Sequence, residues 1–405
     1  PLGPSVQIAL LGVATIFLVW WVARDWFSGE AGFIAAGLYA ISPTPVIFSL
    51  SSWNPNIMPF FALLSVYSIW KVWKKHNWGW LIVLGISYAF VLQSHYLGFL
   101  LAPTIILFWL LTYLTVRKSD PRFYIRYSIY GAAVFVLLMS PLIIFDARHG
   151  WMNFNAMKEF LFAGGPADFA SPLKAVLTIG QKALVATTRL LGARGLLAGE
   201  IVGIFILVSL AVFFSGKYYL LLAWIGFALL GLGFYRHEIY DHYYGFFFTA
   251  PFILFAGLSE DLIKKKKLFG KVLIGALSII IAFFSIKNSH LWSQPNRQMA
   301  RATEVAGKIN QEAGGEKFNL AVIADRNYED GYQYFLEVWG EPVVDIDAQR
   351  PETITNQLFA VCEKPKELCD PTHNPKTEVA NFGWTKIDGE WEIQGITLFK
   401  LIHSI

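Results

Sequence analysis

The densest run of ionisable residues in the apolar part of this chain is Tyr235-Arg236-His237-Glu238-Ile239-Tyr240-Asp241-His242-Tyr243-Tyr244. Arg236, His237 and His242 could neutralise a phosphate, because a guanidinium or imidazolium donates charge-assisted hydrogen bonds to its oxygens. Asp241 or Glu238 could accept a proton or bind a metal. The spacing of His237 and His242, with no second carboxylate pair around them, is a poor metal-binding pattern. The plain alternative is a polar loop anchored by an interfacial tyrosine belt.

Two further clusters have residue types fit for recognising a polyol. Ser51-Ser52-Trp53-Asn54-Pro55-Asn56 follows Ser42-Pro43-Thr44-Pro45, whose prolines must interrupt helical hydrogen bonding. Irregular backbone at membrane depth is tolerated where protein buries it or water reaches it. Trp53 could stack on a sugar face and Asn54 could bind hydroxyls. An interfacial Trp with a helix N-cap at Asn54 or Asn56 accounts for the same residues without chemistry. Gln93-Ser94-His95-Tyr96 is the second cluster, where His95 could contact a phosphate or an acceptor hydroxyl, or simply cap a helix.

The elements that must position these residues are membrane helices. Hydrophobic residues make up 55% of the chain, aromatics 16%, and mean hydropathy is +0.47, all above soluble-protein averages. Apolar stretches at 6–22, 31–49, 57–72, 79–94, 97–116, 128–145, 195–215, 218–235, 243–258 and 272–287 predict about ten transmembrane helices. The pattern stops at Lys287. Residues 1–287 therefore read as a polytopic α-helical membrane domain and 288–405 as a soluble α/β domain. Strands are expected at 318–324, 342–346, 357–362 and 395–400, and helices at 294–312, 329–338 and 376–381. Gly314-Gly315 reads as a helix C-terminus.

Charge distribution sets the orientation. From Asn288 onward there are 11 Lys/Arg against 18 Asp/Glu, while the preceding part has 22 against 11. Basic residues beside membrane helices mark cytoplasmic loops, so nucleic acid is given no part. With Pro1 outside, the inner connections hold 14 basic residues, Lys264 to Lys267 among them, and the outer ones seven. The C-terminal domain then lies outside the cytoplasm. In segment 146–194, Lys174, Lys182 and Arg189 fall near one helical face, as in an amphipathic helix lying in the interface. If 172–191 spans instead, everything after it inverts. Glu200 lies inside an apolar span where it could face the bundle interior, beside Gly199 and Gly203, which suggest close helix packing. The two cysteines, Cys362 and Cys369, flank a short Pro-containing loop and suggest a disulfide in an exported domain; no partners for a metal pair are in evidence. The start at Pro1, without Met or a charged leader, reads as a fragment lacking at least one upstream helix and loop.

Three stretches carry a resemblance to a known family. Val22-Ala23-Arg24-Asp25-Trp26-Phe27 followed by Gly32-Phe33-Ile34-Ala35-Ala36 to Ser42-Pro43 is one. Trp53-Asn54-Pro55-Asn56 with Pro59 is another, and Tyr240 to Pro251 is the third. Together they resemble GT-C-fold glycosyltransferases that use polyprenyl-phosphate sugars, in the protein O-mannosyltransferase and aminoarabinose-transferase group. The resemblance implies an extracytoplasmic enzyme. A carboxylate would deprotonate an acceptor hydroxyl (lipid, glycan or protein), which would attack and invert the anomeric carbon. Polyprenyl phosphate would leave, its charge offset by basic side chains or a divalent metal. The family's main carboxylate lies in the first outer loop, expected upstream of Pro1, so the catalytic base is left unassigned. Arg236, His237 and His242 would then surround the donor phosphate. Trp53, Asn54, His95, Tyr96 and Tyr243 would line the sugar or acceptor side, with Asp241 in acceptor or metal contact. A transporter or flippase of lipid-linked saccharides is the alternative, favoured by broken helices and disfavoured by the lack of an inverted repeat. A noncatalytic scaffold is a third.

The orientation is open to direct test. With intact cells and an impermeant thiol reagent, Ser52→Cys should label from outside and Lys266→Cys only after permeabilisation; the reverse pattern would invert the whole assignment.

Overall fold

In a computed structural model of the chain, the described residues are 2–158, 170–235, 238–295, 297–325 and 327–404. They form two compact units, Pro1–Ser293 and Gln294–Ile405.

The first unit is helical. Helix α1 (Leu2–Trp26) is followed by α2 (Gly29–Ile41), whose start is capped by Ser28 Oγ accepting from the Ala31 N–H at 3.2 Å. Ser42 is held extended (ψ 126°) by the proline after it, which ends α2 and starts α3 (Pro43–Phe48). A short 3₁₀ turn at Asn54–Ile57, capped by Trp53 backbone rather than by an Asn side chain, leads into α4 (Met58–Lys75). Helix α5 (Trp80–Ser94) stops where His95 turns extended, and a 3₁₀ turn at Tyr96–Leu101 starts α6 (Ala102–Val116). Helices α7 (Arg122–Arg148) and α8 (Met152–Lys158) come next. Buried Asp146 caps α8 by accepting from the backbone N–H groups of Asn153 and Phe154, at 2.7 and 3.0 Å.

Six segments are long and apolar enough to cross a membrane, and two shorter apolar helices, Gly29–Ile41 and Trp80–Ser94, accompany them among the described residues. The chain is a multi-pass membrane protein. The ten expected spans correspond to fewer long helices for two reasons. Several passes are short, and the last two expected spans lie in one continuous element, α13 (Ala250–Lys287). That element is broken at Lys267 (φ 33°, ψ −104°). A Cβ on Gly270 would sit 2.8 Å from Ile263 Cα, so the chain folds back on itself within the lysine run. The return leg brings Asn288 to the turn at 191–195, where its side-chain amide donates to Ala193 O at 2.7 Å.

Segment 172–191 is not one amphipathic helix. It is α9 (Pro172–Leu177) and α10 (Ile179–Leu190), joined at Thr178. Ala175 of α9 is buried against α12 (Tyr219–Phe234): a Cβ on Gly233 would lie 2.7 Å from the Ala175 carbonyl. Glu200 on α11 (Leu196–Phe213) is exposed rather than turned inward. Gly199 makes a close approach to Thr188 and Gly203 makes none.

The second unit is a four-stranded sheet, order β1-β2-β4-β3, from β1 (Asn319–Ile323), β2 (Gln357–Cys362), β3 (Thr385–Ile393) and β4 (Ile396–His403). β1 and β2 are parallel and the other pairs antiparallel. Helices α14 (Gln298–Ala313) and α15 (Asp330–Trp339) pack on one face and α16 (Thr377–Phe382) on the other. Gly314 ends α14 in the left-handed region (φ 63°). The stretch 342–346 is not a strand, contributing only a bridge from Val343 to Phe318. The edge strand β3 was missed because its charged, exposed sequence and the bulge at Ile387/Gly389 mask the alternation. Cys362 and Cys369 are joined by a disulfide at the end of β2.

Helix α5 meets α7 backbone to backbone. A Cβ on Gly131 would fall 2.3 Å from Leu81 O, and one on Gly85 2.1 Å from Gly131 O. Gly131→Leu should therefore destabilise the membrane unit by about 1–3 kcal/mol. Thermal unfolding in detergent checks this, and an unchanged midpoint would refute the contact.

Candidate active site

The helix ends and turns at α3, Trp53, the α5–α6 junction, the α10–α11 turn and Asp241–Phe247 lie at one end of the helical unit. Two hydroxyls tie the first of these to the fourth. Ser42 Oγ donates to Leu190 O at 2.8 Å and Thr44 Oγ1 to Arg189 O at 2.7 Å. The Ser-Pro-Thr-Pro break thus frees backbone and supplies the hydroxyls that fix the end of α10.

From that end two arginines reach one carboxylate. Arg189 Nη1 donates to Asp241 Oδ1 at 2.7 Å and to Ile239 O at 2.7 Å. Arg194 Nη2 donates to Asp241 Oδ2 at 2.5 Å. The Asp241 side chain is 17% exposed and those of Arg189 and Arg194 are 31% and 39% exposed, so the cluster is half-buried. Arg194 is presented by an unusual turn: Ala193 (φ 48°) and Arg194 (φ 67°) are both left-handed, a strained state for non-glycine residues. The turn is held by Arg194 N–H to Thr188 O at 2.8 Å and by the Asn288 bond to Ala193 O. Gly192 permits it, since a Cβ there would lie 2.7 Å from the Gly199 nitrogen.

Beside Asp241, the His242 ring is surrounded by aromatic rings. Trp53 and Tyr243 lie 4.5 Å away between centroids, His95 5.8 Å, Tyr240 5.9 Å and Phe48 6.3 Å. His95 also lies 5.4 Å from Tyr243 and 4.9 Å from Tyr96. Trp53, Tyr96 and Tyr240 stay largely exposed, so the cluster is open on one side. Of the residues singled out from sequence, Trp53, His95, Tyr96, Asp241, His242 and Tyr243 are brought together. Asn54 is exposed at the head of its 3₁₀ turn, outside these ring contacts. Arg236 and His237 lie outside the described residues.

Both histidines are biased to the neutral form. Burial, reinforced by the facing His242, pulls His95 down to about 4. Burial also lowers His242, with Asp241 opposing it. Leu97 N–H donates to His95 Nδ1 at 3.2 Å, so the neutral ring carries its proton on Nε2 and can donate from there. The fixed positive charge of the site belongs to Arg189 and Arg194, which sequence reasoning missed. Arg189 was visible only as part of a helical stripe, and Arg194 depends on a turn that local pattern does not disclose. Among the described residues no three His, Cys, Asp or Glu side chains gather as metal ligands.

Residues 5–145 match the family model described as dolichyl-phosphate-mannose-protein mannosyltransferase. The fold is similar to crystal structures of ArnT from Cupriavidus metallidurans. For the one bound to undecaprenyl phosphate the TM-score is 0.61 at 11% identity, covering 98% of this chain and 83% of that one. The apo structure gives 0.57 with the same identity and coverage. No curated protein sequence matches the chain. The chain thus shares the fold of the ArnT structures, and about its first third matches a mannosyltransferase family model.

Because His95 in the folded protein binds its proton only near pH 4, against about 6.5 when unfolded, its contribution to stability is complete above pH 6.5 and is lost as pH falls toward 4. Melting temperature should drop over that window in the wild type and less steeply in His95→Gln. Parallel pH profiles of the two proteins would contradict the burial.

Proposed function

We propose that this chain transfers a sugar from a polyprenyl-phosphate donor to a hydroxyl of a lipid, glycan or protein acceptor on the extracytoplasmic face. The observation that carries the reading is the junction of two guanidiniums with an open, neutral-histidine aromatic cluster at one end of a membrane bundle. The undecaprenyl phosphate in the ArnT structure supports the donor class.

In this reading the acceptor oxygen attacks the anomeric carbon, the carbon–oxygen bond to phosphate breaks, and the configuration inverts. Charge gathers on the departing phosphate, where preorganised donors are most effective. Asp241 carries one negative charge against two from Arg189 and Arg194, leaving a net positive charge beside His242. Arg194, the more exposed of the two, is the direct phosphate contact, with Arg236 and His237 as further donors. His242 and the Nε2–H of His95 donate as neutral imidazoles. Trp53, Tyr96 and Tyr243 supply aromatic faces for the sugar or acceptor, and Asn54 stands at the rim. Asp241 has both oxygens engaged, which suits a positioning residue better than a base.

Polarity follows the basic residues. Lys71, Lys74, Lys75 and the run Lys264 to Lys267 stand at helix ends remote from this cluster, which supports a cluster that faces outward and an extracytoplasmic unit 294–405. In that compartment the Cys362–Cys369 disulfide is stable.

Arg194→Ala should lower turnover by about a hundredfold or more in a purified transfer assay with polyprenyl-phosphate sugar. Arg194→Lys should recover part of it. Full turnover by a correctly folded Arg194→Ala protein would overturn the phosphate assignment.

A further inference from the structure

At the opposite end of the same helices, α1, α4 and α5 enclose a second feature that transfer does not use. It is a cavity of about 300 Å³, open on one side, lined by Leu18 and Trp21 of α1, Leu64, Tyr67, Lys71 and Lys75 of α4, Asn77 beyond it and Trp80 of α5. Helix α4 separates it from the active-site cluster: Met58 begins at the cluster's end, and Lys75 closes the helix about 26 Å away.

The lining is graded along the helix axes. Leu18 and Leu64 lie deepest, Trp21 and Tyr67 about one turn nearer the rim, and Lys71 and then Lys75 at the rim itself. From Leu64 to Lys75 the gradient runs about 16 Å, from hydrocarbon to cation. A bilayer lipid has the same gradient in the same direction.

The polar rim is built rather than loose. Lys71 Nζ donates to Asp25 Oδ2 at 2.8 Å. Tyr67 Oη donates to the same oxygen at 2.8 Å, and Trp21 Nε1 donates to Tyr67 Oη at 2.8 Å. Asp25 thus balances one lysine. Lys75 stands over the Trp70 ring at 5.5 Å, and among the described residues no carboxylate lies within ion-pair distance of it. Two lysines against one aspartate leave a single positive charge, the complement of one phosphodiester.

We propose that this cavity is a binding site for an anionic glycerophospholipid, its phosphodiester at Lys75 and Lys71 and its first chain segment along Trp21, Leu64 and Leu18. Amphipathic order, aromatic walls and charge all select a lipid headgroup over a soluble anion, which would have no use for the apolar floor.

The test uses the full chain, purified and delipidated, then exposed to equal phosphatidylglycerol and phosphatidylcholine before native mass spectrometry. The wild type should retain phosphatidylglycerol preferentially. Lys75→Glu should reduce that retention at least about fivefold. Lys266→Glu, a charge reversal elsewhere at the basic end, should leave it unchanged. Leu18→Trp, which narrows the apolar floor without touching a charge, should reproduce the loss and serves if Lys75→Glu fails to fold. Glycerol 3-phosphate should not displace the lipid. Equal retention of the two lipids, an equal effect of Lys266→Glu, or displacement by glycerol 3-phosphate would each overturn the proposal.

Discussion

The Asp241 carboxylate, clamped between Arg189 and Arg194, is the contact on which the arrangement of the candidate site depends. It joins two parts of the chain that are remote in sequence: the end of α10 with the turn that follows it, and the stretch leading into α13. Removing one partner of a half-buried ion network costs more than the pair contributes, because the remaining charges stay desolvated. The clamp therefore does two things at once. It sets where His242 stands among Trp53, Tyr243 and His95, and it leaves a surplus guanidinium charge beside them. The strain of two left-handed residues at Ala193 and Arg194 is the cost of that placement, offset by the backbone bond to Thr188 and the Asn288 amide.

Electrostatics then divides labour within the cluster. Burial keeps His95 and His242 neutral, so they serve as hydrogen-bond donors and aromatic surfaces rather than as charges. Permanent charge rests on arginine, whose forked guanidinium suits phosphate oxygens and does not titrate. A site arranged this way holds its charge across the physiological pH range.

Much of the architecture was legible because membrane helices declare themselves through unbroken apolar runs. The Ser42-Pro43 break and the end of α5 at His95 follow from proline chemistry and composition, whereas the span expected from 243 opens as a 3₁₀ turn and α13 begins only at Ala250. Three site elements, around Trp53, His95 and His242, stood out as polar and aromatic residues at the ends of those runs, and the structure packs their rings together. What local pattern could not disclose was tertiary. The division of 172–191 at Thr178, the reversal at Lys267 and the αL turn that presents Arg194 each depend on packing between distant segments. The edge strand β3 was hidden for a related reason: its stability comes from β4, while its own residues are charged and exposed.

The central claim is that the Arg189–Asp241–Arg194 clamp places a lipid phosphate beside His242. A cryo-electron microscopy map of the protein saturated with polyprenyl phosphate tests it most directly. Phosphate density within hydrogen-bond reach of the Arg194 guanidinium and next to the His242 ring is the expected result. Density at a site that excludes both residues, with the clamp undisturbed, would contradict the account.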